Sequence, residues 1–270
     1  MMEEPEGPDG PDEPAPLGPL EPLGPLEPLE PLPPPPPPER DPFWSYGDLL
    51  ILAGLTIPCL LLGIGGVKAA FWILHLHPTV KTWELLAAQF TFYALLLGML
   101  VALFRTQYDR PFWRSLGWVA SRLPLFSIVT GGVGLAMAVL LLGALIHTPR
   151  TENPLTELLK DPTSLILVAI FGSIVAPVCE ELVFRGFLQP LLVRSLGAFA
   201  GIVATALPFG LLHFYEYGNS WRHVLLISLS GAAFGWMRHA TGSTKAAAGM
   251  HSSYNAFQFV LLLMAKGLPH

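Results

Sequence analysis

Residues 164–192 read SLILVAIFGSIVAPVCEELVFRGFLQPLL. As a helix rising about 1.5 Å per residue, this run is longer than the ~30 Å of hydrocarbon in a bilayer. Within it lie only three charged residues, Glu180, Glu181 and Arg185. Hydrocarbon offers no partner for backbone amides, so an apolar run of this length predicts a helix that satisfies its own hydrogen bonds.

Working outward, similar runs lie near Gly47–Val67, Leu85–Phe104, Leu125–Ile146, Ala198–Phe214, His223–Met237 and Ala246–Ala265. The expected fold is all-α: a polytopic membrane helix bundle of about seven to eight transmembrane helices. The eighth arises if the Ser164–Leu192 run is broken near Gly186. Composition agrees, with 52% apolar and only 13% charged residues, too few for a surface that faces water throughout. Phe43, Trp44, Tyr46, Trp83, Trp113, Trp118 and Trp221 fall at the ends of these runs and read as anchors at the headgroup level. Gly131, Gly132 and Gly134 fit close helix packing and not a phosphate loop.

Pro5 to Pro38 is a different material. Units such as Pro-Leu-Glu-Pro-Leu end in unbroken proline from Pro33 to Pro38, which predicts a disordered or polyproline-II tail. This stretch has seven acidic residues and no basic one, more than the whole net charge of −5, and the remainder is near neutral or slightly basic, giving no nucleic-acid footprint. No basic residue precedes Arg40, so a cleaved signal peptide is not expected and the first span reads as an anchor. Arg105, Arg110, Arg114 and Arg122 between the second and third spans predict a cytoplasmic loop, and hence a cytoplasmic N-terminal tail. Arg194 and the group Arg238, His239 and Lys245 fall on the same side, against Lys68, Lys81, Arg150 and Lys160 on the other. Cell or plasma membrane is the expected location. Cys59 and Cys179 form neither a disulfide framework nor a zinc knuckle.

Ionisable groups inside spans are costly, so each is a functional candidate. Glu181 and Arg185, at i and i+4, share a helix face and can neutralise each other. Glu180 points about 100° away from Glu181 and has no such partner in its own helix. Phe209 and His213 share a face by the same spacing, as do His251 and Asn255. Glu180 precedes the turn near Ser195–Gly197 by about as many residues as His213 follows it, which places the two at one depth. His251 lies closer to its own turn, near Thr241–Ser243, and reaches that depth only through tilt or a broken helix. A thiol nucleophile at Cys179 is the weaker reading beside that of a small packing residue.

These pieces, Glu180-Glu181-x-x-x-Arg185, Phe209-x-x-x-His213 and His251-x-x-x-Asn255, resemble in order the three motifs of the CAAX protease and bacteriocin-processing family. That family includes the Ras-converting CAAX endopeptidases. The resemblance runs from about Thr163 to Phe259 and divides the chain into a tail (1–42), N-terminal transmembrane helices (43–150) and a protease-like core (151–270). It implies an intramembrane endopeptidase acting on membrane-anchored, in some members prenylated, peptide or protein substrates. Glu180 and His213 would polarise a water, His251 and Asn255 would stabilise the oxyanion, and Glu181, Arg185 and Phe209 would support the site. The same residues admit a second chemistry, since Glu180, His213 and His251 are a hydrolytic ligand set for a divalent metal such as zinc. The family has been described both as glutamate-type and as metal-dependent. Two further functions compete: a non-catalytic scaffold or immunity-type factor with the same fold, and a proton-coupled transporter using Glu180, Glu181 and Arg185 as a relay.

Overall fold

A computed structural model describes residues 41–77, 80–149 and 159–266. The expected disordered tail lies outside the described residues except for its last two positions. Glu39–His270 forms one compact unit. Its described residues are helical without strands, in the order α1 (Tyr46–Ile73), α2 (Thr82–Tyr108), the short α3 (Phe112–Ser115), α4 (Leu125–Leu145), α5 (Pro162–Leu196), α6 (Ala198–Leu212), α7 (Trp221–Thr241) and α8 (Thr244–Lys266). The fold is the all-α membrane bundle the sequence predicts. Four helices, α1, α2, α4 and α5, are each long and apolar enough to cross a membrane by length and composition. The shorter α6 and the more polar α7 and α8 pack among them.

The helix α5 organises the rest. Asp161 caps its N-terminus, accepting from the Ser164 amide at 2.7 Å, and Pro162 occupies the first turn, where its missing N–H costs nothing. The helix does not break at Gly186. It widens instead, into π turns at Phe171–Val175 and Leu182–Leu188, which bracket the α-helical stretch Ala176–Glu181. A proline follows each π turn: Pro177 and Pro190 lack an amide hydrogen and crowd the carbonyl four residues back, the ordinary cause of such a defect. Gly186 is required by close approach, since a Cβ there would lie 3.0 Å from both the Cβ and the carbonyl oxygen of Leu116. The chain reverses into α6 at Gly197, whose φ of 80° suits glycine.

Around α5, α1 pairs with α2, α4 with α8, and α6 with both α5 and α7. Gly132 admits α8 closely: a Cβ there would collide with Ser253 and the Met250 carbonyl. One apolar core joins Leu100 and Phe104 of α2, Phe112 and Leu116 around α3, and Leu182, Phe187 and Leu191 of α5. Trp44 belongs to this core and is not the headgroup anchor expected from its position. It is 2% exposed, stacks on Phe187 with centroids 5.5 Å apart, and donates its indole N–H to the Phe187 carbonyl at 3.1 Å. Phe43 also packs against this core, whereas Tyr46, Trp83, Trp113 and Trp221 are exposed, as anchors require.

Candidate active site

The adjacent carboxylates Glu180 and Glu181 enter different surroundings. Glu181 is fully buried. Its Oε1 accepts from Arg185 Nη1 at 2.8 Å and pairs with His251 Nδ1 at 2.9 Å. The Arg185 guanidinium is also buried and donates from Nη2 to the Gly231 carbonyl of α7 at 2.7 Å. It lies 4.4 Å from the Phe209 ring centre, with Phe184 and Phe234 next nearest at 5.8 and 5.6 Å. Phe234 stacks on His251 at 4.4 Å. This is an ion pair inside an aromatic box, a geometry in which cation–π attraction adds to the charge pairing.

Glu180 is half-buried and lines a cavity of about 420 Å³ between α1, α2, α5 and α6. Tyr93 of α2 donates its phenol to Glu180 Oε1 at 2.8 Å and stacks its ring near Phe171. His213 ends α6 and lines the same cavity. Its Nδ1 donates to the Phe209 carbonyl at 2.8 Å, which fixes the proton on Nδ1 and leaves Nε2 of the neutral ring as an acceptor. Thr56, Gln89, Cys179 and Glu216 complete the polar lining, and the remaining wall is apolar, with Phe92, Phe184 and Phe209 prominent.

The structure thus brings Glu180 and His213 to one cavity, as equal depth predicts. His251 and Asn255 do not line it. His251 stands behind Phe209, edge to face at 5.8 Å, and Asn255 donates from Nδ2 to the Gly172 carbonyl at 2.7 Å, tying α8 to the first π turn of α5. Glu180, expected without a partner, has one in Tyr93. Neither Tyr93 nor Glu216 was recognisable in sequence: Tyr93 sits in an apolar span outside every motif, and Glu216 follows His213 in a turn that reads as loop.

Among the described residues no three His, Cys, Asp or Glu side chains form a group that could hold a metal ion. Glu180, His213 and His251 fall in two clusters separated by Phe209, so as arranged they do not fit a three-donor zinc site.

Residues 162–257 match the family model described as Type II CAAX prenyl endopeptidase Rce1-like. No curated protein and no solved structure matches the chain. The matched segment begins at α5 and ends in α8, spanning every motif residue named above. The four long apolar helices and this family together make the chain an integral membrane protein.

Proposed function

We propose that this protein, whose residues 162–257 match the Rce1-like family model, is an intramembrane endopeptidase hydrolysing membrane-anchored peptide or protein substrates through a water activated by Glu180 and His213. The observation that carries the proposal is their convergence on one cavity with apolar walls. Tyr93 occupies Glu180 Oε1, which leaves Oε2 to take a proton from water. His213, protonated at Nδ1, offers Nε2 as the second acceptor. A water between them would be polarised for attack on a carbonyl, and general-base assistance of this kind is worth about 10²–10⁴-fold.

His251 and Asn255 are proposed for the oxyanion in a substrate-bound arrangement that brings them to the cavity, which they do not line here. Each has capacity beyond the bond it already makes: the second Nδ2 hydrogen of Asn255, and Nε2 of His251, which becomes a donor once the ring is cationic. Glu181 would serve as counter-ion to that ring, so its proposed role is support. The apolar wall fits a substrate that brings its own hydrocarbon, and prenylated CAAX-type peptides are the finer form of the proposal. No step is assigned to a metal. The N-terminal side is proposed to be cytoplasmic, from the arginines after α2.

The test is cleavage of a panel of membrane-anchored peptides, prenylated and not, by the purified full chain and by Glu180→Ala, each with and without a strong chelator. Cleavage lost in the variant and indifferent to chelator supports the reading. Cleavage lost with chelator assigns the water to a metal. Cleavage intact in the variant removes Glu180 from the mechanism, and no cleavage of any peptide favours a scaffold.

A further inference from the structure

A second cavity, of about 290 Å³, lies where the segment leading into α1, the end of α3, the C-terminal part of α5 and the end of α7 meet. It shares only one residue of the motif set, Arg185, and it is lined differently from the first. Arg185, Gln189, Arg194, Arg238 and His239 face it, with Asp41 as the one carboxylate. This end of the bundle also carries Arg105, Arg110, Arg114 and Lys245, the concentration of cations expected where a protein meets headgroups.

Three buried polar atoms on its lining residues have no hydrogen-bond partner: Arg185 Nε, Arg238 Nε and Gln189 Oε1. Arg185 and Gln189 are 0% and 2% exposed, so bulk solvent does not serve them. Leaving such atoms unpaired costs about 1–3 kcal/mol each, more for charged groups. The side chains are nonetheless held in place. Gln189 Nε2 donates to the Gly235 carbonyl at 2.9 Å, and Arg194 Nη1 to the Pro42 carbonyl at 2.7 Å. Arg238 lies against Gly117, whose φ is 68°; a Cβ there would collide with the guanidinium. Cationic donors fixed by protein contacts, two of them with an unmet Nε hydrogen, suit an oxyanion, and guanidinium matches phosphate in particular. Asp41 and Glu181 offset two of the three arginine charges, and a net positive charge remains.

We propose that this cavity is a phosphate site that seats the headgroup of an anionic membrane lipid. Arg194 and Arg238 meet the phosphate, with Arg185 and Gln189 forming the polar floor behind them. The proposal stands without the protease reading. It places a lipid against Arg185, the side chain that clamps Glu181.

The experiment is binding of short-chain phosphatidylglycerol to the delipidated full chain, read by native mass spectrometry and by the shift in melting temperature. Short-chain phosphatidylcholine and inorganic phosphate are run alongside. Saturable phosphatidylglycerol binding is expected, weakened about tenfold or more by Arg238→Gln and by Arg194→Gln, since each removes a charge-assisted bond. The exposed Arg194 gives a variant whose folding is not at risk, and Arg222→Gln at the opposite end of α7 should leave binding unchanged. Inorganic phosphate binding as tightly as the lipid would keep the site and reassign its ligand to free phosphate. Equal retention of phosphatidylcholine, equal weakening by Arg222→Gln, or indifference to both Arg194→Gln and Arg238→Gln would overturn the proposal.

Discussion

Glu180 and Glu181 are consecutive in α5, yet one opens on a cavity and the other is sealed. Glu181 spends its charge on Arg185 and His251 within a ring of aromatic side chains. Glu180 receives one hydrogen bond, from a tyrosine on another helix, and faces space beside His213. A step of about 100° along the helix separates a buried ion pair that ties helices together from a carboxylate that faces open space. Neighbouring acids of one motif therefore need not share a role: surroundings assign it.

The comparison breaks first, and most strongly, at the sealed side. Glu181→Ala leaves Arg185 buried without its counter-charge and should destabilise the bundle by about 3–5 kcal/mol, read as a large fall in melting temperature. Restoring an apolar environment with Arg185→Met in the same chain should recover much of that loss. An unchanged melting temperature in Glu181→Ala would show that the aromatic box, and not the ion pair, holds this region.

A smaller effect is expected where the open side borrows from α2. Tyr93→Phe removes the hydrogen bond to Glu180 and keeps the ring near Phe171. A bond to a charged group is worth about 1.5–3 kcal/mol, so cleavage should fall roughly tenfold or more. Melting should shift far less than in Glu181→Ala. A fall in melting with cleavage intact would make Tyr93 a packing residue only. The smallest effect is expected at Trp44, which bonds neither carboxylate: Trp44→Phe keeps ring stacking on Phe187, loses the bond to its carbonyl, and should cost about 1 kcal/mol. A loss of cleavage there, with stability unchanged, would tie this core to the site.

Much of this division was legible in the chain. Apolar length gave the long helices, though among the described residues only four of the expected seven to eight spans are long and apolar enough to cross a membrane. The i, i+4 spacing of Glu181 and Arg185 gave the buried pair, because it follows from helix geometry. Equal distance from the Gly197 turn placed Glu180 and His213 together for the same reason. What was hidden depends on contacts between helices. Tyr93 has no charge or motif to mark it, and only the packing of α2 on α5 brings its phenol to Glu180. Trp44 at a span end looks the same whether it faces headgroups or a core. The π turns were not foreseen, and a break near Gly186 did not occur: proline in a membrane helix can kink, widen or end it, and the outcome is set by neighbours such as Leu116 against Gly186. The separation of His251 from the Glu180 cavity follows from Phe209 standing between them, which spacing within α6 and α8 does not reveal.

Glu180, on the proposed function, is held for chemistry and not for stability. The most direct measurement is the cleavage rate of Glu180→Gln relative to wild type on a membrane-anchored peptide, in preparations with matched melting temperatures. The account predicts a loss of about 10²–10⁴-fold, the worth of a general base. A Glu180→Gln protein that cleaves at the wild-type rate would contradict it.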